Sequence, residues 1–274
     1  MKKAMTFGIL VAAFLLHGAA YGQEQDKAQQ KCINALNKGM LKVASAQNKA
    51  NAKCAFEFAK GKNMSAVACW TDPAKVTTAE TKNCEAETKK CTTAPDFGKT
   101  SCGNVNNYSE FNASELPRDL FSQANPDTGI TLCANDKPAC KCQAKTLKAA
   151  NKLYATYMKN YNKCKKTGLK HKTTPIIDMA GLAACMDVDL KMKIQKAATK
   201  LDGAIAKKCA AVPSPFPAVD SDCVALTGTA LGDCIEDRVR CRVCVTTEAS
   251  DGLSVNCDFY DDGDTENNSC FDDF

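Results

Sequence analysis

Two stretches of equal length decide the fold: "KCINALNKGMLKVASAQNKANAKC" (31–54) and "KCQAKTLKAANKLYATYMKNYNKC" (141–164). Each begins and ends with a Lys-Cys pair, and the two cysteines are separated by 22 residues in both. On an α-helix this separation makes about six turns and about 33 Å, so both cysteines fall near one face. Apolar residues recur at helical spacing in both stretches: Ile33, Leu36, Met40, Val43 and Ala44 in the first, and Leu147, Ala150, Leu153, Tyr154 and Tyr157 in the second.

The cysteines that follow each stretch predict a helical hairpin. Cys69 and Cys91 are again 22 residues apart, and Cys185 and Cys209 are 24 apart. Both units then have the order Lys-Cys, helix, Lys-Cys, loop, Ala-Cys, second helix, Lys-Lys-Cys, which we interpret as an internal duplication. The predicted fold class is therefore all-α, with two duplicated hairpins held by the disulfides Cys32–Cys91, Cys54–Cys69, Cys142–Cys209 and Cys164–Cys185.

The start of the second helix differs between the two units. In the first unit, Thr71-Asp72-Pro73 indicates a cap followed by proline in the first helical turn. In the second, the 24-residue spacing leaves two arrangements open. Either Cys185 precedes its helix, with Asp187 or Asp189 as the cap, or Gly203 marks a local irregularity.

The N-terminus has the features of a bacterial secretory signal. Lys2 and Lys3 precede an apolar run that extends from about Ala4 to Leu16, and small residues suggest cleavage after Gly22. No second apolar span follows, so we expect no transmembrane anchor after signal removal. The predicted location is the periplasm or the exterior of the cell, where all 18 cysteines would form disulfides.

The chain divides into five predicted segments. Residues 1–22 are the signal peptide, and 23–92 and 142–210 are the two hairpins. Residues 93–141 form a loop-rich connector with one short helix near 113–122, and 211–274 form a small Cys-rich acidic region. Two local disulfides are plausible from their spacing, Cys84–Cys102 and Cys133–Cys140, and the pairing of the six C-terminal cysteines stays open.

Cys241 and Cys244 form a C-x-x-C sequence, which occurs in redox pairs, in zinc sites and in structural disulfides. A redox pair usually lies in a thioredoxin-like βαβ context, which the sequence lacks. A zinc site would need a second C-x-x-C or a nearby histidine, although Cys257 and Cys270 could complete a four-thiolate site. Structural disulfides are favoured because the chain is exported.

The C-terminal stretch "CDFYDDGDTENNSC" (257–270) is a candidate calcium site. Calcium binds clustered carboxylates on loops of this kind. The stretch is not an EF-hand, because Tyr260 occupies an oxygen-ligand position and Ser269 stands where the bidentate glutamate is required. The alternative is an acidic, solvated turn, and no other cofactor is expected. The candidate ligands are Asp258, Asp261, Asp262, Asp264 and Glu266.

The series "CRVC…DGL…CDFYDDG…NNSC", placed after Ala-rich helices with Lys-Cys ends, resembles a group of exported cysteine-rich bacterial proteins. That group has no assigned activity. The resemblance implies a shared disulfide architecture over most of the mature chain, and it implies no catalytic residue.

Charge is distributed unevenly along the mature chain. Residues 23–242 contain 34 basic and 22 acidic side chains, a formal charge of +12, whereas 243–274 contain nine acidic side chains and no basic one. Only four of the basic residues are arginines, and aromatic residues do not alternate with the lysines, so nucleic-acid binding is not expected. A Lys-dominated surface is usually a solvated one.

The sequence offers no catalytic set. His171 is the only histidine outside the predicted signal, it lies in a Lys-rich loop, and neither G-x-S-x-G nor H-E-x-x-H occurs. We therefore predict a non-catalytic structural or binding protein, with an anionic cell-surface polymer or a protein as its partner. The alternative is a thiol redox or metal-handling protein that uses Cys241 and Cys244.

Overall fold

The structure is a computed structural model that describes residues 24–71, 73–172, 174–260 and 270. The described residues contain no β-strand, so the protein is all-α as predicted. The predicted signal peptide lies outside the described residues. The helices are α1 Lys27–Ala59, α2 Ala66–Trp70, α3 Ala74–Lys90, α4 Cys102–Phe121, α5 Pro126–Gly129, α6 Lys137–Gly168, α7 Met179–Ala183, α8 Lys193–Lys208 and α9 Gly228–Asp251, with short 3₁₀ turns at Ala184–Met186 and Asp258–Tyr260.

Four helices lie side by side and two more pack against them. In the row, α3 packs against α1, α1 against α6, and α6 against α8. Helix α4 packs on α1 and α3, α9 packs on α6 and α8, and α4 and α9 pack on each other. The main core lies between these two layers, because buried apolar side chains of α1 and α6 meet those of α4 and α9.

The first hairpin joins α1 to a broken second arm. Disulfides Cys32–Cys91 and Cys54–Cys69 connect the two arms at opposite ends, as the spacing predicts. The second arm consists of the short α2 and then α3, not one helix over 69–91. The predicted cap at 71–73 is also wrong: Pro73 occupies the N-cap position itself, where it has no side-chain acceptor to offer.

The second hairpin joins α6 to α8 through Cys142–Cys209 and Cys164–Cys185, again as predicted. Of the two arrangements left open, the structure has Cys185 before its helix. The Asp189 carboxylate accepts hydrogen bonds from the backbone N–H of Ile194 (2.9 Å) and Gln195 (3.0 Å), which satisfies two donors at the start of α8. The extra residues in the 24-residue spacing therefore form this capped turn. That the hairpins arose by duplication stays a prediction.

The connector prediction was wrong in part. The short helix predicted near 113–122 is present, but it is the second half of a helix of 20 residues at the centre of the molecule, Cys102–Phe121, and 102–112, predicted as loop, form the first half. The Ser101 hydroxyl caps α4 by accepting from Asn104 N–H (3.2 Å). The Asn and Ser content of α4 suggested a loop, but Val105, Ala113 and Leu116 are buried on one face of this helix. The local disulfides Cys84–Cys102 and Cys133–Cys140 are both present.

The segment 211–274 also supplies a central element, α9. A buried ion pair joins α9 to α4. Arg242 donates from Nε to Asp119 Oδ2 (3.0 Å) and from Nη2 to Asp119 Oδ1 (2.6 Å). Such paired bonds fix both distance and orientation. Helix α9 is therefore part of the helical core, and the disulfides of the segment are Cys223–Cys234, Cys241–Cys270 and Cys244–Cys257.

A second buried ion pair lies where α1, α6 and α9 meet. The Lys165 ammonium contacts the Asp251 carboxylate and donates to Asn37 Oδ1 (2.7 Å), and the Tyr161 hydroxyl donates to Asp251 Oδ2 (2.7 Å). The Lys165 side chain is 0% exposed and that of Asp251 is 2% exposed. The three helices are thus connected by charged hydrogen bonds that water does not reach.

The contact of α3 with its neighbours depends on a glycine and on a polar link. A Cβ atom at Gly39 of α1 would lie 1.6 Å from Asn83 Oδ1, so the close approach of α1 and α3 requires glycine there. Further along α3, Glu87 forms an ion pair with Lys99 (2.8 Å) and accepts from the N–H of Cys102 (2.9 Å). This carboxylate therefore ties the end of α3 to the start of α4.

Candidate functional site

A lysine-lined groove lies between α6 and α8, and we call it the α6/α8 groove. Its volume is about 760 Å³. Lysines line it from both helices, at spacings of three, four and seven residues that keep side chains on one face of each helix. They are Lys145, Lys148, Lys152 and Lys159 of α6, and Lys193, Lys196, Lys200, Lys207 and Lys208 of α8.

The amphipathic pattern of the two helices directs the lysines outward. Leu147, Leu153 and Tyr154 on α6 are fully buried, as are Leu201 and Ile205 on α8, and the lysines occupy the opposite faces. Small side chains separate the lysines along the groove: Ala149, Ala155, Thr156, Ala197 and Ala204. The groove therefore has lysine walls and a floor of small side chains.

The disulfides at both ends of the hairpin fix the separation of the two groove walls. Cys142–Cys209 holds one end, with Cα atoms 4.9 Å apart, and Cys164–Cys185 holds the other, with Cα atoms 5.6 Å apart. The two rows of ammonium groups therefore repel each other without being able to separate. The disulfides thus keep the positive charges of the groove close together although these charges repel each other.

The charge of this groove is not neutralised within the described chain. All nine lysines are exposed. Within the part of the chain that the structure describes, no acidic residue lines the groove and none of these lysines forms an ion pair. A cleft lined by charge of one sign concentrates counter-ions, so the groove is suited to bind an anion with many charges.

His171 lies in a different part of the surface. Its Nε2 is 2.6 Å from Glu24 Oε1, its side chain is 31% exposed, and its backbone is left-handed with φ of 54°. The described residues that line the surrounding pocket provide lysines and amides but neither a hydroxyl nor a thiol. Among the described residues, the group directly beside this imidazole is the Glu24 carboxylate.

The C-x-x-C cysteines are in two separate disulfides. Cys241 is bonded to Cys270 and Cys244 to Cys257, and both lie buried on α9. A redox pair of the C-x-x-C type requires the two sulfur atoms to bond each other. All 18 cysteines are paired, so none is free as a thiolate ligand.

Only part of the candidate calcium loop is described. Asp258 is buried, and its Oδ1 accepts from the N–H of Cys270 (2.8 Å). Asp261, Asp262, Asp264 and Glu266 lie outside the described residues. The described residues contain no group of three or more His, Cys, Asp or Glu side chains arranged to hold a metal ion. Calcium at this loop stays a prediction.

The groove was missed by sequence reasoning, which treated the lysines as a general property of the surface. The signal was available in the spacing: on α6 the residues 145, 148, 152 and 159 share a face, and on α8 so do 193, 196 and 200. What the sequence does not show is that the two faces lie next to each other. That depends on the rotation of each helix about its axis.

None of the described helices has the length and apolar character needed to cross a bilayer. Nine disulfides are typical of a protein from an oxidising compartment outside the cytosol. Comparison of the chain with protein family models, with curated proteins and with solved structures finds no match.

Proposed function

We propose that this is an exported, non-catalytic binding protein whose α6/α8 groove holds an anionic polymer of the cell surface or its surroundings. The proposal depends on one observation: nine exposed lysines line one groove, and no acidic residue of the described chain is paired with them. Either the periplasm or the cell exterior would provide such polymers. In this role the disulfide-linked helices hold the two lysine rows in place.

The choice of lysine indicates the kind of recognition. An ammonium group is a compact, strongly hydrated charge, whereas a guanidinium binds carboxylate or phosphate through paired hydrogen bonds. No arginine is among the described residues that line the groove. Binding should therefore respond to charge density and spacing more than to the geometry of one anionic group, and it should weaken steeply as salt increases.

The direct test measures binding of the mature protein to fluorescent alginate, a polymer of uronate sugars, with neutral dextran as the control polymer. Binding to alginate is expected at an ionic strength of about 0.01 M and should be largely lost at about 0.15 M, since the screening length falls from about 30 Å to about 8 Å. Absence of binding to alginate and to dextran sulfate at low salt would refute the proposed function.

A pair of matched variants locates the site. The groove variant carries Gln at four lysines of the groove, and the control variant carries Gln at four exposed lysines elsewhere, so both lose the same charge. The affinity of the groove variant should fall about tenfold, because four exposed contacts of about 0.3–0.5 kcal/mol each are removed. Equal losses in both variants would mean that net charge, not the groove, is responsible. The groove set is Lys148, Lys152, Lys196 and Lys200; the control set is Lys62, Lys82, Lys89 and Lys172.

A further inference from the structure

A second lysine-lined groove opens on the same side of the helical row. It lies along α1 beside the start of α3 and has a volume of about 680 Å³; we call it the α1/α3 groove. Its basic residues are Lys42, Lys49 and Lys53 of α1, Lys75 of α3, and Lys159 of α6. Lys53 is within 3.9 Å of Glu57, and the described residues provide no ion-pair partner for the others.

Lys159 lines both grooves, so the two grooves meet at that residue. The register of the helices agrees with this junction. Asn162 of α6 donates to the carbonyl of Asn37 (2.9 Å), and Asn151 donates to that of Asn48 (2.8 Å), so α1 and α6 are antiparallel. Residue 159 therefore lies beside the Lys42 end of the α1/α3 groove.

Resting on the proposed function, we propose that the two grooves form one bipartite site for a linear polyanion, joined at Lys159. The α6/α8 groove extends about 21 Å between Lys145 and Lys159, and the α1/α3 groove extends about 17 Å between Lys42 and Lys53. Their midlines are two helix spacings apart, about 18 Å. Both grooves run from the Lys159 end along the same stretch of the row, so a chain that fills both reverses its direction at Lys159 and follows a path of roughly 55 Å.

The form of the grooves favours a polymer chain over a membrane. A flat anionic bilayer would contact the outer lysines and leave both grooves filled with water. Proteins that bind at a bilayer surface also insert aromatic or large aliphatic side chains. The two grooves have Ala-rich floors, and Leu41 is the one large apolar residue among the described residues that line them.

A bipartite site predicts a characteristic dependence on ligand length. Oligogalacturonates of about 20 Å fill one groove each and should bind with two molecules per protein. Oligomers longer than about 55 Å reach both grooves and should bind one per protein, about tenfold or more tighter, because the second groove is then filled intramolecularly. Isothermal titration calorimetry at low salt measures both the stoichiometry and the affinity.

Two variants separate the grooves. The triple variant Lys42→Gln, Lys49→Gln, Lys75→Gln should leave one site for short oligomers and should abolish the affinity gain of long ones. Lys159→Gln changes only the junction. It should reduce the affinity gain of long oligomers, while short oligomers still bind with two molecules per protein. A single site for short oligomers on the wild-type protein, or an affinity independent of length, would overturn the bipartite site but not the proposed function.

Two further ligands complete the test. Linear polyphosphate of matched length should show the same change from two molecules to one, since lysine discriminates little between carboxylate and phosphate. Vesicles with anionic lipid test whether the lysines bind a membrane surface instead of a polymer chain. Vesicle binding that resists competition by long oligomers would overturn the assignment of the site to a polymer chain.

Discussion

The buried pair of Lys165 and Asp251 gives the sharpest prediction about stability. Burial lowers the pKa of Lys165 below its ordinary value, although the charge of Asp251 acts in the opposite direction. Desolvation of the ammonium thus exceeds the attraction of its partner. Removing one charge should be far more destabilising than removing both, because a single buried charge retains its desolvation penalty without compensation.

The magnitude follows from what each substitution leaves behind. Lys165→Met leaves Asp251 buried with the Tyr161 hydroxyl as a donor, so the cost should lie at the lower end of the usual range, about 3 kcal/mol. This is more than a hundredfold in the unfolding equilibrium. Asp251→Asn should cost a similar amount. The double variant should be more stable than the sum of the single losses predicts, by about 2 kcal/mol or more.

The assay is guanidinium unfolding with all disulfides intact, followed by far-UV circular dichroism at neutral pH. The control is Lys163→Met, which removes an exposed lysine from the same helix and should change stability by less than about 0.5 kcal/mol. If Lys165→Met behaves like this control, or if the two single losses add without coupling, then the charges are not paired in the interior and the reasoning fails.

Two further predictions concern α3. Gly39→Ala should destabilise the protein by about 1–3 kcal/mol in the same assay, because the new methyl group overlaps the Asn83 side chain; an unchanged midpoint would contradict the close approach of α1 and α3. Burial raises the pKa of Glu87, but its lysine partner and the α4 backbone N–H lower it more, to below 4.5. Its contribution, about 1 kcal/mol, is therefore present above pH 4.5 and lost as pH falls through the native pKa. Glu87→Gln should be less stable than wild type at neutral pH, and the difference should shrink in acid; a constant difference would contradict this assignment.

The helical hairpins were predictable because two independent signals agreed. The apolar spacing of Ile33, Leu36 and Met40 defined a buried face, and the cysteine positions defined which helix ends must meet. Disulfide geometry restricts Cα–Cα distances to a few ångströms, so the matched spacings limited the pairing strongly. The four predicted pairs are those found in the structure.

The central helix α4 was not predictable in the same way. Its sequence contains Asn106, Ser109 and Asn112, residue types that usually indicate turns, yet all three are buried. Tertiary contacts overcome this local preference: the Asn106 side chain accepts from Asn83 of α3 (2.8 Å). Such polar contacts depend on neighbours that are distant in sequence, so spacing within α4 alone does not reveal them.

The candidate site was predictable only in part. The sequence gives its charge and its lysine spacing, but the position of Lys159 between two grooves depends on the register of α1 against α6. That register is fixed by side-chain amides that donate to backbone carbonyls, at Asn151 and Asn162. Amides of this kind are indistinguishable in the sequence from exposed ones.

The connectivity of the first hairpin has a consequence for how the protein is made. Cys32 is bonded to Cys91, although Cys54, Cys69 and Cys84 lie between them in the chain. A chain that emerges from its N-terminus into an oxidising compartment presents Cys32 together with Cys54 before Cys91 has arrived. A bond formed between Cys32 and Cys54 at that stage would be non-native, and thiol–disulfide exchange would have to correct it before Cys91 could pair with Cys32. Production of this protein should therefore depend on a disulfide isomerase, and not merely on an oxidant.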